Sequence, residues 1–216
     1  MIKLLKGGTI VTGTEIVKKD LVIKDDKIFA IDENIAVANQ NVEIYDISNM
    51  MIMPGIIDAH THFTGGSVVD NIETGSLAGA FGGVTTFVDY MWQMQDLSIK
   101  ETFDTYLKDI SGKSMIDFSF HFGIKSVSDQ SKSELAILKN IGINSLKIFT
   151  TFRNGPLFPS DNYSELFKIS KDLELVVTVH AEDDEIIHIL EKQHINKGLT
   201  GIEYFADTRP PESEAE

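Results

Sequence analysis

Two rhythms of apolar and polar positions divide this chain. From Lys3 to about Met53 the apolar residues come in short, β-branched, alternating runs: Thr9-Ile10-Val11, Asp20-Leu21-Val22-Ile23, Lys27-Ile28-Phe29-Ala30-Ile31 and Val42-Glu43-Ile44-Tyr45. A period of two is that of half-buried strands, and the Asp25-Asp26 pair between two of the runs is a hairpin-turn signal. Residues 1–53 are expected to form a small all-β domain, sandwich-like in type.

After Pro54 the rhythm becomes strand then helix, repeated, which predicts parallel βαβ construction. The predicted strands cover residues 55–62, 84–90, 117–124, 145–151 and 175–181. The helical stretches between them carry end signals. Ser98 with Glu101 and Ser131 with Glu134 have capping-box spacing, and Gly82-Gly83, Gly112 and Gly142 stand where helices stop. Another helix is expected over 184–196, with Ile186, Ile187 and Leu190 on its apolar side. Thr208-Arg209-Pro210-Pro211-Glu212 opens one more, since proline suits a first turn. Residues 54–216 therefore read as α/β: a partial TIM-type (β/α)8 barrel, about five of the eight units, preceded by the all-β domain. An open doubly wound sheet has the same rhythm, but no GxGxxG or GxxxxGK loop opens any of the helices.

Composition narrows the partners. The 216 residues are 42% apolar, ample for a core, while 33 acidic against 19 basic residues give a formal net charge of -14. That balance repels phosphate backbones and anionic membranes, so neither nucleic acid nor membrane is expected as a partner. Cysteine is absent, so a metal must be held by His, Asp, Glu or a less usual ligand. The apolar run at the start is too short for a signal peptide and no later stretch reaches membrane-spanning length, so a cytoplasmic location is expected.

Candidate chemistry gathers at strand ends. In Met53-Pro54-Gly55-Ile56-Ile57-Asp58-Ala59-His60-Thr61-His62, the spacing puts Asp58, His60 and His62 on one face of a strand. Two adjacent imidazoles make half of a metal site, or else are polar residues where a strand leaves the core. Lys147 lies in the apolar run Ser145-Leu146-Lys147-Ile148-Phe149. Either its ammonium snorkels to solvent, or burial holds the amine neutral and reactive enough to take up carbon dioxide as a carbamate. His180 closes the apolar strand Leu175-Val176-Val177-Thr178-Val179-His180. All four residues fall at the C-terminal ends of parallel strands, where α/β active sites gather.

Five pieces in order carry a resemblance: the 53–62 segment, Phe81-Gly82-Gly83-Val84-Thr85-Thr86, Ser145-Leu146-Lys147-Ile148-Phe149, Val179-His180-Ala181-Glu182 and Arg209-Pro210-Pro211-Glu212. Together they resemble the cyclic amidohydrolases, in the dihydropyrimidinase and hydantoinase branch, over nearly the whole chain. The resemblance implies a metal-dependent hydrolase of cyclic amide C–N bonds, with two divalent ions, zinc first, and a carbamate on Lys147. His60 and His62 would hold the more buried ion, Lys147 would bridge both ions and serve catalysis, and His180 would hold the second. A hydroxide shared by the ions would attack the carbonyl of a small cyclic amide. The family also implies a homodimer or homotetramer when full length, and a β domain to which the chain returns after the barrel. Nothing in the sequence assigns substrate-binding residues.

The chain departs from the family in two respects. The family's remaining site residues, a histidine on the sixth strand and an aspartate on the eighth, lie beyond Glu216. The isolated chain is therefore expected to be an inactive N-terminal fragment, or else half of a split enzyme. Five residues after Lys147, where the family places an oxyanion-stabilising tyrosine, stands Phe152, which has no donor. An allantoinase-like or other cyclic ureide activity is accordingly the alternative. Dihydroorotase fits less well, its HxHxR pattern wanting arginine where this chain has Thr64. A non-catalytic scaffold, like the collapsin-response mediator proteins, is disfavoured by the retained ligands. His121 reads as structural, His188 and His194 as helix residues, Tyr90, Met91, Trp92 and Met94 as pocket walls or loop packing, and Arg153 as a group that could meet an anionic substrate.

Overall fold

The computed structural model describes residues 1–36, 41–64, 68–94, 96–127 and 131–215, with only the backbone of Ser131. Its contacts divide the chain into two compact units, Met1–Ile56 and Ile57–Glu216.

In the first unit, β1 (Ile2–Lys6), β4 (Asp20–Lys24), β5 (Lys27–Asp32) and β6 (Val42–Asp46) form a sheet in the order β5-β4-β1-β6. A second sheet has the order β3-β2-β7, from β2 (Thr9–Val11), β3 (Ile16–Lys18) and β7 (Met51–Ile52). The alternating runs do become strands. The β4–β5 hairpin turns at Asp25, whose φ of 57° is the left-handed conformation that aspartate tolerates. Leu4, Ile10, Leu21 and Val22 fill the interior. Buried Asp20 closes the unit by accepting from the backbone N–H groups of Gly7 at 2.9 Å and Ile35 at 3.0 Å.

The second unit is a half-barrel. Its five strands are β8 (Ile56–Asp58), β9 (Val84–Trp92), β10 (Asp117–Gly123), β11 (Ser145–Phe149) and β12 (Val176–His180), in sequential order across one sheet. The registers of β9 with β10, β10 with β11 and β11 with β12 are all parallel. The connecting helices are α1 (Ile72–Phe81), α2 (Ile99–Ile110), α3 (Ser131–Asn140), α4 (Tyr163–Asp172), α5 (Asp184–Asn196) and, last, α6 (Pro211–Ala215). Phe87, Met91, Phe120, Phe122, Leu146 and Ile148 from the sheet pack against Leu135, Leu138, Leu166 and Ile169 from the helices. Met91 is thus core, not a pocket wall.

Local chemistry explains the helix ends. Ser98 and Glu101 form the reciprocal capping box that opens α2. Gly112 and Gly142 take φ of 73° and 85° just after α2 and α3, which a Cβ would oppose. The cap expected at Ser131 lies outside the described residues. Asn71 and Thr74 form a second capping box, on α1.

The first barrel strand is shorter than its alternation predicts. Asp58 Oδ1 accepts from the backbone N–H of His60 at 3.2 Å, an Asx-type turn that ends the ladder. His60 and His62 therefore ride on the segment that follows β8, not on the strand. Among the described residues, no helix is long and apolar enough to cross a membrane.

Candidate metal centre

That segment is attached to β9 instead. Thr61 N–H donates to Val88 O at 3.1 Å, the N–H groups of Phe63 and Thr64 donate to Asp89 Oδ2 at 3.0 and 2.9 Å, and Thr64 Oγ1 donates to Tyr90 O at 3.0 Å. Burial pushes the Asp89 carboxyl up in pKa, while these N–H bonds pull it back toward its ordinary value. Ala59, just before His60, gives its carbonyl to His121 Nε2 at 2.9 Å.

The imidazoles of His60 and His62 meet edge to face, their centroids 5.2 Å apart. Both rest on Tyr90, at 4.9 and 4.8 Å, with His62 stacked nearly parallel to the phenol ring. Tyr90 is buried in the sheet and floors the group. Burial lowers the His60 pKa first, and the neighbouring His62, Lys147 and His121 lower it further. A neutral imidazole keeps a lone pair for a metal ion.

Lys147 is only 5% exposed, which excludes the snorkelling alternative. Its Nζ lies 4.6 Å from the centroid of Phe149 and 5.7 Å from that of Tyr90. Burial alone lowers its pKa. Among the described residues, no carboxylate pairs with it.

His180 joins this group through Phe149. Its ring stacks on Phe149 at 5.2 Å, and its Nε2 bonds to Glu182 Oε2 at 2.5 Å, leaving Nδ1 as the nitrogen free for another partner. Phe152 sits 5.4 Å from the His180 ring, with φ at 69°. That left-handed backbone is costly for a phenylalanine; its carbonyl accepts from Gly155 N–H at 2.7 Å in the tight turn that follows. Trp92 stacks on Phe149 and packs so close to Gly123 that a Cβ there would lie 2.3 Å from the indole.

The structure thus gathers His60, His62 and Lys147 around Tyr90, with His180 one ring away. Among the described residues, no three His, Asp or Glu side chains form a metal-holding cluster by themselves. The donors present nonetheless fit part of a divalent-metal site: two imidazoles, one of them with its pKa lowered by burial, beside a desolvated amine that no carboxylate among the described residues pairs with. Arg153 is not free for an anionic substrate, because Asp184 at 2.5 Å and Glu185 at 2.9 Å take its guanidinium. His121, expected to be structural, bonds at both nitrogens, to Ala59 O and to Ser145 Oγ at 2.5 Å. Asp89 and Glu182 escaped the sequence reading, although Glu182 lies within one of the five quoted pieces.

Known proteins resemble this chain along its length. The family model described as dihydro-orotase-like matches residues 49–191. A D-hydantoinase from Geobacillus stearothermophilus is 38% identical over 100% of this chain and 46% of its own length. A dihydropyrimidinase from Dictyostelium discoideum is 31% identical, over 99% of this chain and 43% of its own. The crystal structure of dihydropyrimidinase from Brevibacillus agri superposes with a TM-score of 0.91 at 33% identity, covering 99% of this chain and 47% of that one. The chain therefore spans just under half the length of these relatives, as an N-terminal portion would. On the family match and on the half-barrel that carries the two imidazoles, the chain belongs to the dihydro-orotase-like family.

Proposed function

We propose that this chain is the metal-holding N-terminal part of a hydrolase that opens a cyclic amide of the hydantoin or dihydropyrimidine type. The observation that carries the proposal is the meeting of His60, His62 and buried, unpaired Lys147 on the ring of Tyr90. His60 and His62 would hold one divalent ion, zinc by ligand chemistry. Lys147, as a carbamate, would help to hold the metal, and His180 would hold a second ion. When bound, such ions lower the pKa of water and polarise a carbonyl. The chain's own part is to prepare for them: burial lowers the pKa of His60 and of Lys147, which favours the neutral, ligand-competent form of each. Glu182 orients the His180 ring through its bond to Nε2.

The same proposal assigns residues 1–53 to the β domain and 54–216 to the barrel, and places the complete protein in the cytoplasm as a homodimer or homotetramer. A second substrate, a cyclic ureide such as allantoin, is favoured by Phe152, which sets a ring without a hydroxyl beside His180.

The test is a zinc titration of the 216-residue chain with a parallel turnover assay. Zinc is expected to bind the unmodified chain and not the His60→Ala/His62→Ala variant, with no hydrolysis of hydantoin, dihydrouracil or allantoin by either. Zinc binding indifferent to both histidines would refute the site, and turnover by the chain alone would refute its dependence on further strands. Assay of a complete enzyme carrying this half would then rank the three substrates.

A further inference from the structure

We infer that Asp89 is the positioning residue of this centre: its buried carboxylate hangs the segment bearing His62 from β9 and so sets the direction of the imidazole pair. The inference rests on the reading of His60 and His62 as metal ligands.

Once the ladder ends at Asp58, the backbone N–H groups that follow need other acceptors. Three consecutive residues of β9 supply them. Val88 takes Thr61 through its main-chain carbonyl, Asp89 takes Phe63 and Thr64 on one carboxylate oxygen, and Tyr90 takes the Thr64 hydroxyl through its own carbonyl. His62 is bracketed between the first attachment and the second. Main-chain carbonyls at 88 and 90 would be offered by any sequence; the attachment at 89 depends on the side chain.

That side chain is specialised for the task. It is completely buried, and among the described residues no Lys, Arg or His pairs with it. Its second oxygen accepts from the N–H of Tyr90 at 2.7 Å. Three N–H dipoles therefore take the place of water around the carboxylate, a charge-assisted arrangement stronger than neutral bonds. The bond to Tyr90 also locks the rotamer, on the very residue whose ring floors the imidazoles. An asparagine cannot substitute, since in either amide orientation its NH2 would face an N–H donor.

Zinc alone is the probe, titrated into the unmodified protein, Asp89→Asn, Thr102→Val and the double histidine variant. Thr102 is a matched control, being fully buried with its hydroxyl accepting from Met94 N–H at 3.3 Å and not from residues 61–64. Asp89→Asn is expected to weaken zinc binding roughly ten- to a hundredfold, the range for losing an outer-shell partner. It should also alter the visible spectrum of cobalt(II) bound in place of zinc. Thr102→Val should change neither. Unmodified affinity and spectrum in Asp89→Asn would overturn the inference. Should Asp89→Asn not fold, amide exchange in the metal-free unmodified protein decides: slow exchange at Phe63 and Thr64 is expected, and exchange at the rate of open loops overturns the clamp. Unchanged zinc affinity in the double histidine variant would instead refute the ligand reading, while the two amides still report on the clamp.

Discussion

Lys147 is a residue whose burial is unfavourable for the fold and whose proposed role gives it a place in the site. A buried amine without a counter-ion is costly to keep charged; here the rings of Phe149 and Tyr90 face it and, among the described residues, no carboxylate pairs with it. Replacing it with methionine, of similar length and wholly apolar, should leave thermal stability unchanged or raise it. On the proposed reading, the unmodified protein should give a carbamate carbon signal under 13C-labelled bicarbonate, and this variant should not. A melting temperature lowered by the substitution would show that the amine has a stabilising partner. His121 is the opposite case. Its Nε2 must carry the proton, because it faces a carbonyl, so its Nδ1 accepts from the Ser145 hydroxyl and neither nitrogen remains for a metal. His121→Phe would remove the partner of Ala59 O and Ser145 Oγ and should cost about 0.5–1.5 kcal/mol in chemical denaturation. Ser145→Ala should cost less, because it leaves the bond to Ala59 in place; equal costs would mean that the tie to Ala59 contributes nothing.

At the level of elements, α3 and the end of α4 are joined by two lysine–carboxylate pairs, Lys132 with Asp172 and Lys139 with Glu174. Each lysine holds its carboxyl below the ordinary value, 3.8 for Asp172 and 4.5 for Glu174. A carboxyl depressed in the folded state contributes stability that is fully present above its unfolded pKa and is lost as pH falls through the lower, folded value. Acid denaturation followed by circular dichroism should therefore set in at higher pH for Lys132→Met/Lys139→Met than for the unmodified chain. The difference should be small and should vanish in 1 M salt, since both pairs are exposed; a difference that survives such salt would point to another cause. Elements like these were legible in the sequence where their cause is local. The runs around Phe87, Phe120 and Ile148 declared the strands, and Ser98 with Glu101 declared a helix start. His60, His62 and Lys147 were legible by residue type, although the two imidazoles lie beyond β8 and Lys147 in the middle of β11 rather than at strand ends. Tyr90 was legible as a pocket wall and His121 as structural, but the clamp at Asp89 and the partners of His121 were not, because each depends on what faces it across strands. Asp89 reaches residues 25 and 26 positions away, and His121 one that is 62 away. Spacing along a chain does not encode those pairings.

At the scale of the 216 residues taken alone, the described half-barrel leaves a strand without a further partner at each end of its sheet. Strands β8 and β12 end the five-stranded sheet, and they carry exposed apolar side chains: Ile57 at 65%, Val176 at 63% and Val179 at 40%. Parallel sheets are ordinarily covered on both faces and closed or shielded at their edges, because unpaired backbone groups beside apolar side chains recruit other strands. The 216-residue chain should therefore associate with itself as its concentration rises. Its formal charge of -14 opposes that, since copies repel one another at low ionic strength. Salt shortens the range of the repulsion without weakening the apolar contact, so association should grow with salt, the reverse of an interface held by ion pairs. Val176→Lys/Val179→Lys, which puts charge on the β12 edge, should reduce it. Light scattering over a range of protein and salt concentrations measures this directly. A monomer that persists at high protein concentration and high salt would mean that the edges of β8 and β12 are protected in solution. Association equal in the unmodified and substituted chains would move the sticky surface off β12.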